Sequence, residues 1–390
     1  MCLNQIHPIC DCLKSSITSD LILLTGAAGT GKTTLVREIV ADFDTRGVPC
    51  VLMAPTGRAA KVLAERVGRP AATIHKTIYQ TEALLEHLDG EGEATTYKWV
   101  FNLRTNSDGA NTVYIVDEAS MVSDVLSEDE RFRFGSGCLL SDLMRYADVK
   151  ATNNNRRIIF VGDSAQLPPV GSAKSQALSE EYLAERFGVS VHRHELTRIH
   201  RQEAGSGILR NAMRIREGIE KQYYAAFMVD EADDVALLPQ DRFLMKYREV
   251  TQGRPNPCAL VVAYSNELVR QYNSMIRQTL FPDTAGPVAG DYLLVVQNNY
   301  RTAPVLFNGD FVVLLSVSDE MVTQSAVLRN NKGDEILKLS FRRAVIRLLD
   351  EEKTQDVLMI DDLLNSNEPM LSDKQQDALY VNFKMRYPHL

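Results

Sequence analysis

The sequence predicts an α/β protein in which a parallel sheet is covered by helices on both faces. Nearly continuous apolar runs predict the strands of that sheet, and a polar turn follows each of them. The predicted strands are Leu21–Thr25, Val48–Ala54, Val113–Val116 and Ile158–Val161. Such runs are typical of parallel strands that are buried on both faces. Their alternation with helices indicates a doubly wound sheet, in which ligands bind beyond the carboxyl ends of the strands.

Length and composition restrict the class of protein. A chain of 390 residues exceeds what one core usually serves, so we expect two large domains. Apolar residues make up 45% and charged residues 24%, as in soluble globular proteins. No apolar run is long enough to cross a membrane and residues 1–17, which we expect to be helical, do not read as a secretory signal. We therefore expect a cytoplasmic protein with no membrane contact.

Charge and cysteine content add two further expectations. The net charge of −8 argues weakly against a nucleic-acid partner, so any such contact would have to be local. The six cysteines are scattered, and none forms a CxxC pair. We interpret them as reduced thiols.

Changes of pattern along the chain predict domain boundaries. Residues 1–190 form the first α/β domain, and a small β excursion is inserted at about 81–111. A second α/β unit begins at 191 and extends to 287. Short alternating strands follow within 288–365, and a return segment occupies 366–390.

Three predictions concern the second half in detail. Ala259–Ala263 is an apolar stretch predicted to be a strand, and Ser265–Phe281 carries apolar residues on one face of a predicted helix. Five short strands that together suggest a small barrel are predicted at Tyr292–Val296, Phe311–Leu315, Ala326–Arg329, Ile336–Leu339 and Ala344–Leu348.

A glycine-rich loop follows the first predicted strand and opens a helix. Its sequence, GAAGTGKT over residues 26–33, fits the GxxxxGK[ST] pattern of phosphate-binding loops. Glycines let backbone N–H groups curl round phosphates, and the helix start adds partial positive charge. We expect Lys32 to reach the outer phosphates and Thr33 to ligate Mg²⁺. The predicted nucleotide-binding residues of this loop are Gly26, Ala27, Ala28, Gly29, Thr30, Gly31, Lys32, Thr33 and Thr34.

An Asp-Glu pair at the end of another predicted strand is the partner of this loop. Asp117 can hold Mg²⁺ through water, and Glu118 can orient and polarise an attacking water. The predicted metal ligands are therefore Thr33 and Asp117. The two motifs predict that the chain binds ATP and Mg²⁺ and cleaves the nucleotide. They leave transporters, kinases, GTPases and motors open.

Further motifs carry a resemblance to a known family. APTGRAA at 54–60, TIH at 73–75, DEASM at 117–121, GDSAQLPPVG at 162–171 and LTRIHRQ at 196–202 follow one another in this order. Within residues 1–285 the set resembles the superfamily 1 DNA helicases, in particular the RecD-like and phage Dda-like group that moves 5′ to 3′. The resemblance implies two RecA-like motor domains and, for the predicted barrel, an SH3-like β insert.

The resemblance also implies roles for individual residues. Arg201 would reach the γ-phosphate from the second motor domain, and Gln5 would recognise adenine. A lone glutamine on an amphipathic helix is as readily a solvated residue, so both interpretations of Gln5 stay open. The residues that would face single-stranded or forked DNA in the second and the short motif are Pro55, Thr56, Arg58, Thr73 and His75.

Physical reasoning about how nucleotide state is coupled to DNA favours two side chains in these motifs, Gln166 and Arg201. Gln166 carries both a donor and an acceptor, so it can sense a phosphate oxygen or a water. The prolines at 168 and 169 stiffen its loop. Arg201, always charged, would stabilise transition-state charge only when two domains close. The predicted catalytic residues are Lys32, Asp117, Glu118, Gln166 and Arg201.

Trp99, the only tryptophan, has two interpretations. It lies in the β excursion where relatives place an element that splits the duplex, and it could stack on the last base pair there. Alternatively, it is a core aromatic of a small hairpin.

The final motifs of the group are not found before Leu390, so we expect a truncated helicase with an incomplete second motor domain. The leading hypothesis is an ATP-dependent DNA helicase of repair or recombination. Alternatives are an ATP-bound DNA-binding or assembly module, an exonuclease V alpha-type subunit that needs partner subunits, and the helicase part of a conjugative relaxase. The last is disfavoured because no nicking domain is recognised.

Overall fold

A computed structural model of the chain describes residues 19–88, 94–127, 131–198, 205–223, 228–256, 258–284, 286–299, 302, 304–330, 333–349, 352–364, 366, 368 and 370–388. The chain divides into two compact units. The first comprises the residues up to Ala83 together with Trp99–Leu237, and the second comprises Leu84–Lys98 together with Leu238–Leu390. The helix expected at residues 1–17 lies outside the described residues.

A six-stranded parallel sheet in the order β3-β2-β6-β8-β1-β9 forms the centre of the first unit. A separate three-stranded sheet has the order β4-β5-β7, and the division into units cuts β4 after Ala83 and β5 before Trp99. The strands in chain order are β1 (Leu21–Gly26), β2 (Cys50–Ala54), β3 (Ala71–Thr73), β4 (Tyr79–Leu88), β5 (Ala94–Leu103), β6 (Val113–Val116), β7 (Phe132–Phe134), β8 (Arg157–Gly162) and β9 (Val191–Leu196).

Helices of the first unit follow its strands along the chain, and a 3₁₀ turn at Ala119–Met121 follows β6. The helices are α1 (Lys32–Thr45), α2 (Gly57–Val67), α3 (Ile74–Ile78), α4 (Leu139–Ala147), α5 (Glu180–Phe187) and α6 (Gly207–Glu220). Alternation along β1 sends Leu21 and Leu23 into one apolar core and Ile22 and Leu24 into another. The predicted α/β fold, a parallel sheet covered on both faces, is confirmed.

The strand β9 changes the expected boundary at residue 190. It pairs in parallel with β1, from Leu21 opposite Val191 to Gly26 opposite Leu196. The first unit therefore continues past 190 as far as Leu237. Sequence could not reveal this because His192, Arg193, His194 and Glu195 make β9 polar, as expected of a strand at the edge of a sheet.

The second unit contains an antiparallel sheet in the order β10-β11-β12-β13. Its strands are β10 (Tyr292–Leu294), β11 (Phe311–Asn330), β12 (Gly333–Leu348) and β13 (Thr354–Ile360). Its helices are α7 (Phe243–Val250), α8 (Asn266–Leu280), α9 (Asp361–Leu364) and α10 (Asp373–Arg386), together with a 3₁₀ turn at Gln240–Arg242.

Five short strands were the wrong prediction for this sheet. The predicted strands at 311–315 and 326–329 belong to one long strand, β11, and those at 336–339 and 344–348 belong to β12. Register shifts between Leu314 and Ser316 and between Val317 and Met321 let β11 bend while its pairing with β12 continues. An SH3-like barrel is not confirmed.

The C-terminal helix packs on this sheet. In α10, Ala378 and Val381 lie against a small apolar cluster with Ala326, Leu328 and Leu337. The amide of Asn382 donates to the carbonyl of Ser325 at 3.0 Å. Helix α10 therefore covers part of the antiparallel sheet within its own unit.

The predicted strand at Ala259–Ala263 is not formed. Residues 259–263 have no regular secondary structure, and Leu260 and Val262 are 71% and 84% exposed. A strand is stable only when neighbouring backbone accepts its hydrogen bonds. Within the described part of the second unit, no parallel strand pairs with this stretch.

Two matched substitutions test these placements. Leu23→Ala empties a fully buried site and should cost about 2–5 kcal/mol of the free energy of unfolding. The same change at exposed Leu260 should alter it by no more than about 0.5 kcal/mol. Urea titration followed by circular dichroism measures both. A loss at Leu260 as large as that at Leu23 would contradict its exposed placement.

Candidate nucleotide site

The phosphate loop connects β1 to α1 at the carboxyl end of the sheet. A Cβ on Gly26 would come within 2.7 Å of the Leu196 carbonyl oxygen, so a side chain here would push β9 away. Gly31 has φ +88°, a backbone conformation that favours glycine, and an added Cβ would meet open space. The loop is therefore tight against the sheet at its start and open beside the helix. That shape fits a phosphate group bound at the N-terminus of α1.

Lys32 closes the loop on itself. Its Nζ donates to the carbonyl oxygens of Gly26 at 2.6 Å and Ala27 at 3.0 Å. Burial lowers the pKa of Lys32, although the neighbouring carboxylates of Asp163, Glu118 and Asp117 act in the opposite direction. The lysine thus lies among three carboxylates and bonds to the carbonyls of its own loop.

The Asp-Glu pair lies at the end of β6. The backbone N–H of Asp117 donates to the Met53 carbonyl at 2.9 Å, which keeps β2 and β6 paired as β6 ends. Its Oδ1 accepts from the Glu118 N–H at 3.0 Å. Glu118 has φ 52°, a left-handed conformation that costs a non-glycine residue energy and is common at functional sites.

Both carboxyl groups of this pair have raised pKa values. Burial raises the pKa of Asp117, against the opposing effects of the Glu118 N–H and of Lys32. Burial and then the neighbouring Asp117 raise the pKa of Glu118. A raised pKa makes Glu118 a better acceptor for a proton from water.

Asp163, which follows β8, organises the next loop. Its Oδ1 accepts from the Ala165 N–H at 3.0 Å, and its carbonyl accepts from the Gln166 N–H at 3.1 Å. The loop beyond is open to solvent, with Leu167 and Val170 85% and 99% exposed. Gln166 is exposed as well. Asp163 itself is buried and forms an ion pair with Arg216 of α6, at 2.6 Å from Nη1.

These groups meet because β6, β8 and β1 are neighbours in the parallel sheet. Their register matches Ile115, Ile159 and Ile22 across the three strands. The strands therefore end side by side, and they deliver Asp117, Asp163 and the phosphate loop to one edge. Sequence reasoning assigned no role to Asp163, although it was within a quoted motif at a strand end. It missed Arg216, which lies on an amphipathic helix with no motif to mark it.

Thr33 and Asp117 fit a magnesium ion by their chemistry. Thr33 lies in the first turn of α1, half-buried, and Thr34 beside it is exposed. A hydroxyl and a carboxylate are hard oxygen ligands, which Mg²⁺ prefers when it is shared with phosphates. No group of three or more His, Cys, Asp or Glu able to hold a metal occurs among the described residues.

The residues predicted to face DNA lie at and just beyond the carboxyl ends of β2 and β3, and β2 is the neighbour of β6 in the sheet. Thr56 caps α2 by accepting from the Ala59 N–H at 3.2 Å, and Thr73 caps α3 by accepting from the Lys76 N–H at 3.1 Å. Pro55 and Arg58 flank the first cap and are half-buried. The two threonine hydroxyls thus have a structural explanation in addition to the predicted one.

Aromatic rings surround His75 and continue to Trp99. The His75 ring lies 4.9 Å from that of Phe134, and the Phe134 ring is stacked on Phe101 at 4.6 Å. Trp99 pairs with Phe132 between β5 and β7, and its ring lies 6.5 Å from Phe101. Burial lowers the pKa of His75. Trp99 is half-buried, which leaves both interpretations of this residue open.

Two predicted residues, Gln5 and Arg201, lie outside the described residues. The described helices include none that is long and apolar enough to cross a membrane.

Comparison with known proteins finds one matching family model and several similar helicases. A family model described as an AAA domain matches residues 9–129. The chain is 30% identical over 198 residues to the ATP-dependent RecD2 DNA helicase of Deinococcus radiodurans, covering 51% of this chain and 22% of that one. It is 25% identical over 331 residues to the ATP-dependent DNA helicase dda of Enterobacteria phage T4, covering 81% and 67%.

Among solved structures, a crystal structure of the Pif1 helicase from Candida albicans aligns with a TM-score of 0.41 and 15% identity, covering 92% of this chain and 78% of that one. The sequence matches confirm the resemblance to RecD-like and Dda-like helicases of superfamily 1. With the phosphate loop, they imply that the chain uses a nucleotide. The chain spans only 22% of the length of its RecD2 relative.

The raised pKa of Asp117 predicts that Asp117→Asn stabilises the nucleotide-free protein at pH 8. Between the unfolded and the raised folded pKa, the folded protein holds a proton that the unfolded chain has lost, so stability falls as the pH rises through that interval. Above it, the buried charge is a full cost that the amide avoids. The advantage should shrink as the pH falls toward the unfolded value of about 3.9.

Thermal unfolding at pH 8 and pH 4.5 measures this difference. Asp241→Asn, at an exposed carboxylate, is the control and should not shift the midpoint. A benefit of Asp117→Asn that grows on acidification would contradict the assigned cause.

Proposed function

We propose that the chain carries the ATP-hydrolysing part of an ATP-dependent DNA helicase of the RecD-like and Dda-like type. The observation that supports this most is the delivery of Lys32, Asp117 with Glu118, and the Asp163–Gln166 loop to one edge by three adjacent strands. A phosphate loop alone would suit many nucleotide-binding proteins. The exposed loop at Gln166 is what suits a motor.

In this proposal, each group of the site has a separate task. Lys32 exchanges the carbonyls of Gly26 and Ala27 for the outer phosphates of ATP. Thr33 and Asp117 hold Mg²⁺, which would supply charge neutralisation at the phosphates. Glu118, with its raised pKa, accepts a proton from the attacking water.

Coupling to DNA would pass through exposed parts of the same edge. Gln166 can follow the state of the γ-phosphate because its loop is anchored by buried Asp163. Pro55, Thr56, Arg58, Thr73 and His75, beyond β2 and β3, would contact the DNA backbone. Arg201 and Gln5 belong to the proposal through the resemblance. Forked or single-stranded DNA, repair or exonuclease complex subunits as partners, and a cytoplasmic location are further parts of it.

A second candidate has an observation in its favour. Leu260 and Val262 are exposed where a strand of a second motor sheet is expected. A chain whose second motor sheet is not assembled would bind ATP and DNA without independent unwinding. ATPase activity with and without single-stranded DNA distinguishes the two, because only the complete motor is stimulated by DNA.

Lys32→Ala should lower DNA-stimulated ATP turnover at least about a hundredfold, because it removes the cation that meets the phosphates. Lys150→Ala is the matched control, since this exposed lysine of the same unit donates to the Gly188 carbonyl. Phosphate release at saturating DNA measures both variants. Retained turnover in Lys32→Ala would contradict the assignment of the loop.

Trp99→Ala should slow unwinding of a 5′-tailed duplex while DNA-stimulated ATPase persists. Stacking of a base on an aromatic ring contributes about 1–3 kcal/mol, and Trp99 is outside the buried core of its unit. Tyr264→Ala, at a 93% exposed aromatic, is the control. Strand displacement and phosphate release measure the pair of activities. Equal loss of both would contradict a duplex-splitting role.

A further inference from the structure

Arg216 of α6 reaches the end of β8 and forms a buried ion pair there. Its Nη1 lies 2.6 Å from Asp163 Oδ1, and the two side chains are only 19% and 6% exposed. On the solvent side, its Nε lies 3.1 Å from Glu220 Oε1 and its Nη2 lies 3.8 Å from Glu195 Oε1. The guanidinium is thus held by three carboxylates, of which the most buried belongs to the nucleotide site.

The carboxylate that Arg216 holds is also a competitor for Lys32. Asp163 directly follows Gly162, which pairs with Thr25 just before the phosphate loop, so its carboxylate and Lys32 lie at the same edge of the sheet. Lys32 donates to two carbonyl oxygens of its own loop, and it must be free to meet phosphates. A buried carboxylate with no other cation would bind Lys32 and would also repel an anionic ligand.

We propose that Arg216 is a positioning residue of the nucleotide site, which occupies Asp163 so that Lys32 stays available to the phosphates of ATP. The inference rests on the proposed function, because it concerns how the same site receives its substrate. Arg216 acts through Asp163 and does not touch the nucleotide.

A second ion pair on the same helix shows what an ordinary surface contact looks like. Arg214 Nη1 lies 2.7 Å from Asp230 Oδ1, and these side chains are 50% and 45% exposed. Positions two apart on a helix face different directions, so Arg214 does not share the environment of Arg216. Exposed pairs of this kind contribute little to stability. Arg214→Gln is therefore the matched control.

The test measures the affinity of the full chain for a fluorescent ATP analogue and for the corresponding ADP analogue. Arg216→Gln should weaken ATP binding about tenfold, and ADP binding less, because the effect scales with ligand charge. Arg216→Lys should restore most of the affinity, since it returns the charge. Arg214→Gln should change neither affinity. The difference should shrink at high salt.

A double-mutant cycle identifies the route of the effect. Asp163→Asn keeps an oxygen that can accept from the Ala165 N–H but removes the competitor. In that background, Arg216→Gln should weaken ATP binding by no more than about twofold. An equal loss in both backgrounds, or no loss in the single variant, would overturn the proposal. If Arg216→Gln does not fold, the same cycle with Arg216→Lys applies, and its smaller loss should likewise vanish with Asp163→Asn.

Failure of the wild-type chain to bind either nucleotide would contradict the proposed function itself. Binding by the wild type with no response to Arg216 would contradict only this inference.

Discussion

The backbone hydrogen bonds that hold β6, β8 and β1 side by side set the positions of the polar groups in the nucleotide site. Parallel strands in register end at a common edge, so a loop and two carboxylates from distant parts of the chain arrive together. Apolar cores on both faces of the sheet fix that arrangement. Close packing on both faces leaves a strand little freedom to slide, which keeps the ends of the strands in register.

Negative charge outweighs positive charge among the groups at this edge of the sheet. One lysine meets three carboxylates, while a bound nucleotide would add further negative charge. Burial raises the pKa values of Asp117 and Glu118 and lowers that of Lys32, so it disfavours the charged form of each group. Together with the left-handed backbone of Glu118, this is the stability cost that functional sites commonly carry. Mg²⁺ and a cation held at Asp163 would offset part of it.

The second unit follows a different principle. The centre of its antiparallel sheet is the pair of long strands β11 and β12, which are adjacent in sequence, and α10 covers part of the sheet. Its pairing therefore needs few distant contacts. By contrast, the apolar stretch at 259–263 would need parallel neighbours from elsewhere, and among the described residues it stays exposed. An apolar run forms a strand only when neighbouring strands are available to pair with it.

The sequence by itself determined the parallel sheet, the phosphate loop and the Asp-Glu pair, because each depends on local pattern: apolar runs, glycines at required positions, and polar residues at strand ends. It did not determine that polar β9 joins the first sheet or that β11 and β12 are long, because edge pairing and bulges depend on neighbouring strands. The sequence also could not predict the ion pair between Arg216 and Asp163. That contact joins residues 53 apart in sequence, and only the packing of α6 near the end of β8 brings them together.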